Sequence, residues 1–595
     1  MKTTKRFFIA LLGFCLLGIE AMAQTPDYEA LEEFAYKYDN VVYDVYENGS
    51  NRFAVAAPTK SKTPTAYTVL GTIVYEDAEI PVTALHDNAF AGKEKLNTIN
   101  LPSTIMQIPT SAFSGCTMLE FVNLENVTVI GKSAFQDCEK LGPSLDLSNV
   151  TSVGNYAFQG CSNLKSLTIS QTTIGASAFS GTAVETLTFA EGLTEIPALA
   201  SQFGSSLKNV VLPSSASSIG ASAFSGCIGL TSIDLSNVKS IGASAFSGCT
   251  GLTSVDLSSV TSIGVSAFQN CGDAMAKKGL KEVIWPEGLT EFPATVFCGC
   301  AMLESVTNLE GATKIGEFAF YNCSSLNGTK KFSSALCSVG EDAFMGTNLT
   351  TVVVKSNPLL SDNAFPAAVA LNLEIEDKMA FSDDNENTFD KITYKREFTS
   401  GKFASLILPF VPEQIDLFDV YQLRENKENS LVFQVVNEFV PGTPYMVKVK
   451  EGYEDVEELT ATDATITKSE CDNRVEAGDW KMIGQYERIV LNAAEGKAKG
   501  VKYYYYKSAD NGFYYSTGTL GVSPFRTYIE APLNSSAQVR MMVRGFGGVE
   551  TDIDVVELED VLIPMVDAYY DLNGNPIQVP VEGKVYIVNG KKMIF

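Results

Sequence analysis

Histidine is almost absent from this 595-residue sequence, in which His86 is the only one. One histidine leaves no basis for multi-histidine metal sites and little for Ser-His-Asp or Cys-His catalysis. Neither a Walker loop nor a strand-linked dinucleotide glycine pattern occurs. Carboxylates are plentiful, but no pair stands out as a glycosidase pair. We therefore expect no enzymatic activity, cofactor or metal, and we expect His86 at the surface or in a turn.

Basic residues are scarce as well. The chain has 44 Lys and Arg against 70 Asp and Glu, a formal net charge of −26. No basic stripe is available to neutralise phosphates, so nucleic acid is not an expected partner.

Long apolar runs are missing after the first residues. Lys2, Lys5 and Arg6 precede an apolar run over residues 7–19, and Ala21-Met22-Ala23 follows as a small-residue cleavage site. This order is typical of a secretory signal peptide, which we place at residues 1–23. No later stretch has the roughly 20 apolar residues of a membrane helix. We expect an exported protein, at the cell surface (outer membrane) or extracellular.

An internal repeat dominates the middle of the chain. Residues 230–251 and 252–273 are identical at 14 of 22 positions. Weaker copies are marked by a phenylalanine, mostly every 21 to 24 residues: Phe90, Phe113, Phe135, Phe158, Phe179, Phe224, Phe246, Phe268, Phe297, Phe320, Phe344 and Phe365, with a degenerate copy at Phe203. Residues 274–279 look like an insertion. This period predicts a leucine-rich-repeat solenoid with a parallel β-sheet on its concave face.

One copy shows how a coil of this solenoid should form. In residues 230–235, LTSIDL, alternation points Leu230, Ile233 and Leu235 inward and the intervening polar residues outward. Gly242 is expected to permit a turn that a Cβ would resist. Ala245 and Phe246 should be buried in a short helical or irregular return.

Eight cysteines share one slot shortly after the phenylalanine: Cys116, Cys138, Cys161, Cys227, Cys249, Cys271, Cys300 and Cys323. Asn, Thr or Lys replaces them in other copies, which suits a packing position better than a bridge. We interpret them as small buried apolar residues rather than disulfides or metal ligands.

The repeated phrase I-G-x-x-A-F-x-G-C-x-x-L-x-x-I-x-L resembles the BspA-like leucine-rich repeats of Bacteroides-type and treponemal surface proteins. The resemblance covers residues 68–376. It implies a cell-surface location and adhesion to host or bacterial macromolecules, and it brings no catalytic residues.

The remaining segments complete the expected organisation. Residues 24–67 are predicted to be an N-terminal β-rich cap and residues 377–395 a linker or cap. Residues 396–547 alternate apolar and polar positions between Pro and Gly, which predicts an all-β sandwich-like domain. Residues 548–595 contain two Asn-Gly hairpin signals and resemble the short tails of Bacteroidales exported proteins, which implies sorting or surface attachment.

The expected ligand surface is the outward face of the repeat strands, where solenoids usually bind. Our candidate residues are Asn100, Phe121, Asn123, Lys165, Thr168, Thr188, Asp234 and Asp256. The leading hypothesis is an adhesin- or receptor-like protein that binds a protein ligand, such as a host matrix or bacterial surface protein. A glycan-binding protein for carbohydrate capture remains open, with Tyr503 to Tyr506 as its platform, and so does a structural envelope protein.

Overall fold

A computed structural model describes residues 29–38, 41–48, 51–58, 64–170, 173–199, 203–427, 430–466, 473–507, 512–535, 540–544, 550–552, 569–570, 576–577, 585–588 and 591–594. The predicted signal peptide and the Asn-Gly dipeptides of the tail lie outside these residues. The chain forms two compact units. The first contains Met1–Gly328, Ser338–Thr350 and Leu360–Ala368, and the second contains Thr329–Cys337, Thr351–Leu359 and Val369–Phe595.

The first unit opens with a five-stranded sheet. Its strands, in spatial order, are Glu29–Tyr38, Val41–Asn48, Asn51–Pro58, Ala78–Leu85 and Thr72–Tyr75. Neighbouring strands are antiparallel except for Asn51–Pro58 and Ala78–Leu85, which run parallel.

The repeats then form a solenoid with two parallel sheets. The first sheet contains, in three hydrogen-bonded groups, Ala66–Thr68, Thr98–Asn100 and Phe121–Val122; Ser144–Leu147, Ser166–Ile169, Thr186–Phe189 and Asn209–Val211; and Ser254–Asp256, Glu282–Ile284 and Ser305–Val306. The second sheet contains Gln107–Ile108, Val129–Ile130 and Ser152–Val153; Glu195–Ile196, Ser218–Ile219, Ser240–Ile241 and Ser262–Ile263; and Glu291–Phe292, Lys314–Ile315 and Ser338–Val339. The expected solenoid with parallel strands is confirmed.

The strand predicted at residues 230–235 is not formed. Leu230 and Leu235 are buried as expected, and Ile233 is half-buried. The hydrogen bond from the Thr231 N–H to the Lys208 carbonyl is long, at 3.4 Å, and the ladder of the first sheet is interrupted here.

The phenylalanines of successive coils stack along the core. From Phe90 to Phe203, neighbouring rings lie 5.1 to 5.7 Å apart between centroids. From Phe224 to Phe365 the spacing is 5.1 to 5.8 Å. No coil encloses a core alone, so the rings from Phe90 to Phe344 are buried with the help of adjacent coils, and Phe365 at the end of the stack is half-buried. Phe203 takes its place in the stack, which confirms the degenerate copy.

The eight ladder cysteines are buried, as the sequence predicts. The structure shows that most of these cysteines also form a hydrogen bond through the thiol. The thiols of Cys116, Cys138, Cys161, Cys249, Cys271, Cys300 and Cys323 each donate, at 3.0 to 3.2 Å, to the carbonyl of the phenylalanine one coil earlier. Burial raises the pKa of Cys227 to about 11 and that of Cys161 to about 12, so these thiols stay protonated.

Two backbone positions have special requirements in many of the coils. At Gly242 a Cβ would lie 2.6 Å from the backbone nitrogen of Ala221 in the preceding coil. Gly242 is therefore required by close packing between coils. The left-handed backbone falls instead at Ser244, with φ of 55°, and at the equivalent residue of other coils, Tyr156 and Phe318 included.

Short elements interrupt the solenoid. Gly272–Asp273 and Lys278–Gly279 pair antiparallel as a hairpin at the predicted insertion. A 3₁₀-helix spans Leu309–Gly311.

The second unit is built mainly from antiparallel strands, and Ser430–Val436 and Arg540–Arg544 are a parallel pair within it. Thr388–Phe398 runs parallel to Ala370–Glu376 and antiparallel to Val456–Thr465. A six-stranded sheet has the order Phe403–Leu406, Tyr445–Val449, Phe418–Lys427, Ser430–Val436, Arg540–Arg544 and Glu550–Asp552. A five-stranded sheet has the order Arg474–Ala477, Trp480–Gln485, Arg526–Pro532, Val501–Lys507 and Gly512–Tyr515. These largely antiparallel sheets confirm an all-β region after the repeats.

One apolar cluster joins the six-stranded and five-stranded sheets. It contains Leu423, Leu431 and Phe433 from the former and Trp480 and Tyr504 from the latter, so the two sheets pack face to face.

The remaining elements are short. Glu413–Leu417 is a 3₁₀-helix, Ala493–Ala498 is an α-helix, and Ile489–Asn492 pairs with Thr519–Val522. The tail strands have the order Pro576–Ile577, Tyr569–Tyr570, Val585–Val588 and Lys591–Ile594.

Candidate functional site

The outward face of the first sheet, called the candidate face below, carries side chains in rows across successive coils. Ser144, Ser166, Thr186 and Asn209 are in register in one row, and Asp146, Thr168, Thr188 and Val211 in the next. Strands in a sheet lie about 4.8 Å apart, so each row presents a side chain at that spacing. Such a face suits an extended surface of a partner better than a small molecule.

Three predicted residues lie close together in the middle of this face. Thr168 and Thr188 are directly opposite each other on neighbouring strands, and both are half-buried. Lys165 is exposed, and its carbonyl accepts hydrogen bonds from the N–H groups of Glu185 and Thr186. The register thus brings the two hydroxyls together, and the exposed Lys165 precedes the strand that carries Thr168.

Phe121 is an exposed aromatic on the candidate face, with 51% of its surface accessible. The sequence interpretation missed two similar side chains, because it took small polar residues as the rule of the face. Val211 is 50% exposed and Ile284 is 46% exposed, each at the outward end of its strand. An apolar residue at an outward position of the repeat was the signal that could have identified them.

Asn123 has a structural task in addition to its predicted place on the face. Its side-chain oxygen accepts from the N–H of Leu101 at 2.7 Å, and its side-chain nitrogen donates to the Leu101 carbonyl at 2.8 Å. Asn100, by contrast, is exposed at the end of its strand. Of these two predicted residues, Asn100 has the side chain more accessible to a ligand.

Asp234 and Asp256 are exposed and occupy equivalent places in consecutive coils. Each carboxylate accepts a hydrogen bond from the backbone N–H two residues later, on Ser236 at 3.0 Å and on Ser258 at 2.9 Å. These backbone bonds, together with the serine hydroxyls, lower the pKa of both carboxyl groups. Both positions therefore present fixed negative charge at neutral pH.

Ion pairs bridge adjacent coils beside the candidate face. Lys208 lies 3.0 Å from Glu185, and Lys281 lies 3.6 Å from Glu304. All four side chains are solvent-exposed, so each pair contributes at most about 1 kcal/mol to stability. Their charges are matched within the protein, which leaves the aspartates as the more available charged groups.

His86 is not a simple surface residue. Its Nε2 lies 2.9 Å from a carboxylate oxygen of Asp44, and both side chains are half-buried. The contact joins the N-terminal sheet to the start of the repeats, so His86 has a structural role.

The tyrosine platform suggested by the sequence is largely buried. Tyr504 lies in the core between the two sheets, and Tyr503 lies in a separate cluster with Val522 and Tyr528. The strand Val501–Lys507 thus buries rings on both of its faces. This burial does not favour a carbohydrate platform at these tyrosines.

Comparisons with known proteins support the repeat interpretation. The family model of the BspA type leucine-rich repeat region matches in six copies, over residues 83–203, 172–276 and 273–372. No protein of curated function matches the chain. Within the described ranges, no helix is long and apolar enough to cross a membrane.

Similar solved structures come from several bacteria. A leucine-rich repeat protein of Bacteroides ovatus is 24% identical, with a TM-score of 0.42, and the match covers 57% of this chain and 94% of that one. A leucine-rich cell surface protein of Faecalibacterium prausnitzii is 22% identical, with a TM-score of 0.26 and coverage of 53% and 95%. The pneumococcal vaccine antigen PcpA is 16% identical, with a TM-score of 0.27 and coverage of 57% and 93%.

Proposed function

Because residues 83–372 belong to the BspA-type leucine-rich repeat family, we propose that this chain is a non-enzymatic binding protein. Residues 1–23 are the signal peptide that directs its export. It acts at the cell surface or outside the cell, as an adhesin- or receptor-like protein. Its ligand is a host matrix or bacterial surface protein, bound by the candidate face. Residues 548–595 serve sorting or surface attachment.

The observation that carries this proposal is the register of the outward side chains. They form regular rows of hydroxyls, amides and carboxylates, with Phe121 as an exposed aromatic among them. Aromatic side chains surrounded by polar groups are the usual anchors of protein interfaces. The rows supply hydrogen-bond partners along an extended surface, and Phe121 supplies an apolar anchor.

Binding of the purified chain to arrayed matrix proteins and glycans tests the proposal. Phe121→Asp and Thr188→Lys alter the candidate face, and Met106→Asp and Ser262→Lys are matched controls beside or on the second sheet, where both side chains are exposed. We expect saturable binding to a protein that the first pair weakens about tenfold or more and the controls leave unchanged. Glycan binding alone, or equal loss in both pairs, contradicts the proposal.

A further inference from the structure

The hairpin at residues 272–279 interrupts the repeat between Cys271 and Leu280. Both flanking residues are fully buried at ordinary ladder positions, and the Leu280 N–H bonds to the Cys271 carbonyl at 2.7 Å. The core therefore continues beneath the hairpin without change. The six-residue insertion adds only a projecting element.

This hairpin is held in one conformation by its own contacts. The Asp273 carboxylate accepts from the N–H groups of Met275 and Ala276, both at 2.9 Å. Gly272 and Gly279 face each other so closely that a Cβ on Gly279 would lie 2.4 Å from the Gly272 Cα. A preorganised element loses little conformational entropy when it binds.

The tip of the hairpin presents chemistry that is unusual for a solvated loop. Met275 is 98% exposed, the highest value among the exposed large hydrophobic residues in the described part of the chain. Lys277 and Lys278 follow it, both exposed, and neither forms an ion pair within the described ranges. An apolar knob beside two available cations stands out in a chain of net charge −26.

A surface of matching chemistry lies in the second unit. A shallow pocket of about 510 Å³ has walls that include Val411, Pro412, Pro441 and Ala464. Val411 is 48% exposed, so the apolar wall is open to solvent. A methionine side chain has three rotatable bonds and a polarisable sulfur, and it adapts well to irregular apolar surfaces of this kind.

Two carboxylates lie at the same pocket. The Glu413 carboxylate accepts hydrogen bonds from the hydroxyls of Thr462, at 2.7 Å, and Thr460, at 3.2 Å, which fix its position and lower its pKa. Asp463 is exposed at the pocket lining and has no ion pair among the described residues. The pocket thus combines an apolar wall with negative charge, the complement of the hairpin tip.

We propose that copies of this chain associate head to tail, with the Met275 hairpin of one copy docked in the Val411–Pro441 pocket of the next. Met275 contacts the apolar wall, and Lys277 and Lys278 face Glu413 and Asp463. The two surfaces differ, so the contact is heterologous, and repetition gives an open chain or a ring. A knob of this size buries less than a standard interface, so association in dilute solution is weak and depends on crowding at a surface.

Mixing complementary variants gives the sharpest test of a heterologous contact. Met275→Glu disables the hairpin and Val411→Glu disables the pocket, and both positions are exposed enough to accept the change without unfolding. In sedimentation velocity up to about 1 mM, where weak interfaces associate, we expect wild type to form concentration-dependent oligomers and each variant to remain monomeric. An equimolar mixture of the two should form a heterodimer and stop there, because each variant retains one intact surface.

Exchanging charges between the two surfaces tests whether the lysines of the hairpin pair with the carboxylates of the pocket. Lys278→Glu and Asp463→Lys should each raise the dissociation constant about tenfold, and the double variant should recover most of that loss. Lys314→Glu is the control, since Lys314 is also exposed and forms no ion pair within the described residues. Wild type that stays monomeric at every concentration overturns the proposal. Association insensitive to Met275→Glu, or a variant mixture that stays monomeric, overturns it as well.

Discussion

The thiol of Cys138 donates a hydrogen bond to the carbonyl oxygen of Phe113, 3.1 Å away and one coil earlier. The same bond recurs at six other cysteines of the ladder, and each of these cysteines connects its coil to the previous one. It explains why a residue with a small apolar body and a weak donor occupies this slot.

Replacement of Cys138 should separate its contribution to apolar packing from its hydrogen bond to the Phe113 carbonyl. Cys138→Val keeps the apolar character but removes the thiol donor and leaves the Phe113 carbonyl bonded only to the Cys116 N–H, so we expect a loss of about 0.5–1.5 kcal/mol in the free energy of unfolding. Cys138→Ser retains a donor and should cost less. Urea denaturation measures both. If Cys138→Val lowers the unfolding free energy no more than Cys138→Ser does, the hydrogen bond does not contribute to stability.

Gly264 should tolerate no side chain. A Cβ there would lie 2.5 Å from the Ala243 nitrogen and 2.7 Å from the Gly242 carbonyl carbon, and backbone atoms cannot yield as a flexible side chain can. Gly264→Ala should lower the unfolding free energy by about 1–3 kcal/mol. Gly288→Ala is the matched control, because nothing lies within 4 Å of its Cβ, and it should be neutral or slightly stabilising. Thermal unfolding compares the two, and similar melting temperatures contradict the packing explanation.

Asn123 and Asn100 should respond differently to alanine. Asn123→Ala removes both hydrogen bonds to the Leu101 peptide and should cost about 1–3 kcal/mol in unfolding free energy. Asn100→Ala should leave stability unchanged within about 0.5 kcal/mol, as at other exposed positions. Parallel urea titrations check this. If Asn123→Ala is equally neutral, Asn123 is available to serve a ligand.

The pair of Asp377 and Arg526 should make the stability of the second unit depend on pH. Burial alone raises the pKa of Asp377, but two hydrogen bonds from Arg526, at 2.6 and 2.7 Å, and one from Tyr394 outweigh it and lower the pKa. A lowered pKa stabilises the fold above the unfolded value of about 3.9, and this contribution is lost as the pH falls through the folded pKa.

Asp377→Asn should therefore cost about 2 kcal/mol at pH 7, since it removes the charge from hydrogen bonds between two mostly buried side chains. The difference from wild type should shrink steadily below pH 4. Urea unfolding at several pH values provides the measurement, and Asp479→Asn, at an exposed position, is the control. A difference that does not change with pH rules out this linkage.

The period of the sequence determined the solenoid. Phenylalanines every 21 to 24 residues predicted a stacked core and buried cysteines, and even the degenerate copy at Phe203 was recognised. Such a pattern is local, because the alternation within each copy already decides which side chains point inward. The all-β region after the repeats was predicted from the same kind of local alternation.

Contacts between coils were decided only by the tertiary structure, because they join residues about 22 positions apart whose relative placement no local pattern specifies. The sequence assigned a turn to Gly242, whereas the fold needs it for close packing and places the left-handed backbone at Ser244. The sequence suggested Tyr503 to Tyr506 as a carbohydrate platform, but both faces of that strand are covered. The exposure of Val211, Ile284 and Met275 likewise depends on what neighbouring coils leave uncovered, and only the assembled fold determines that.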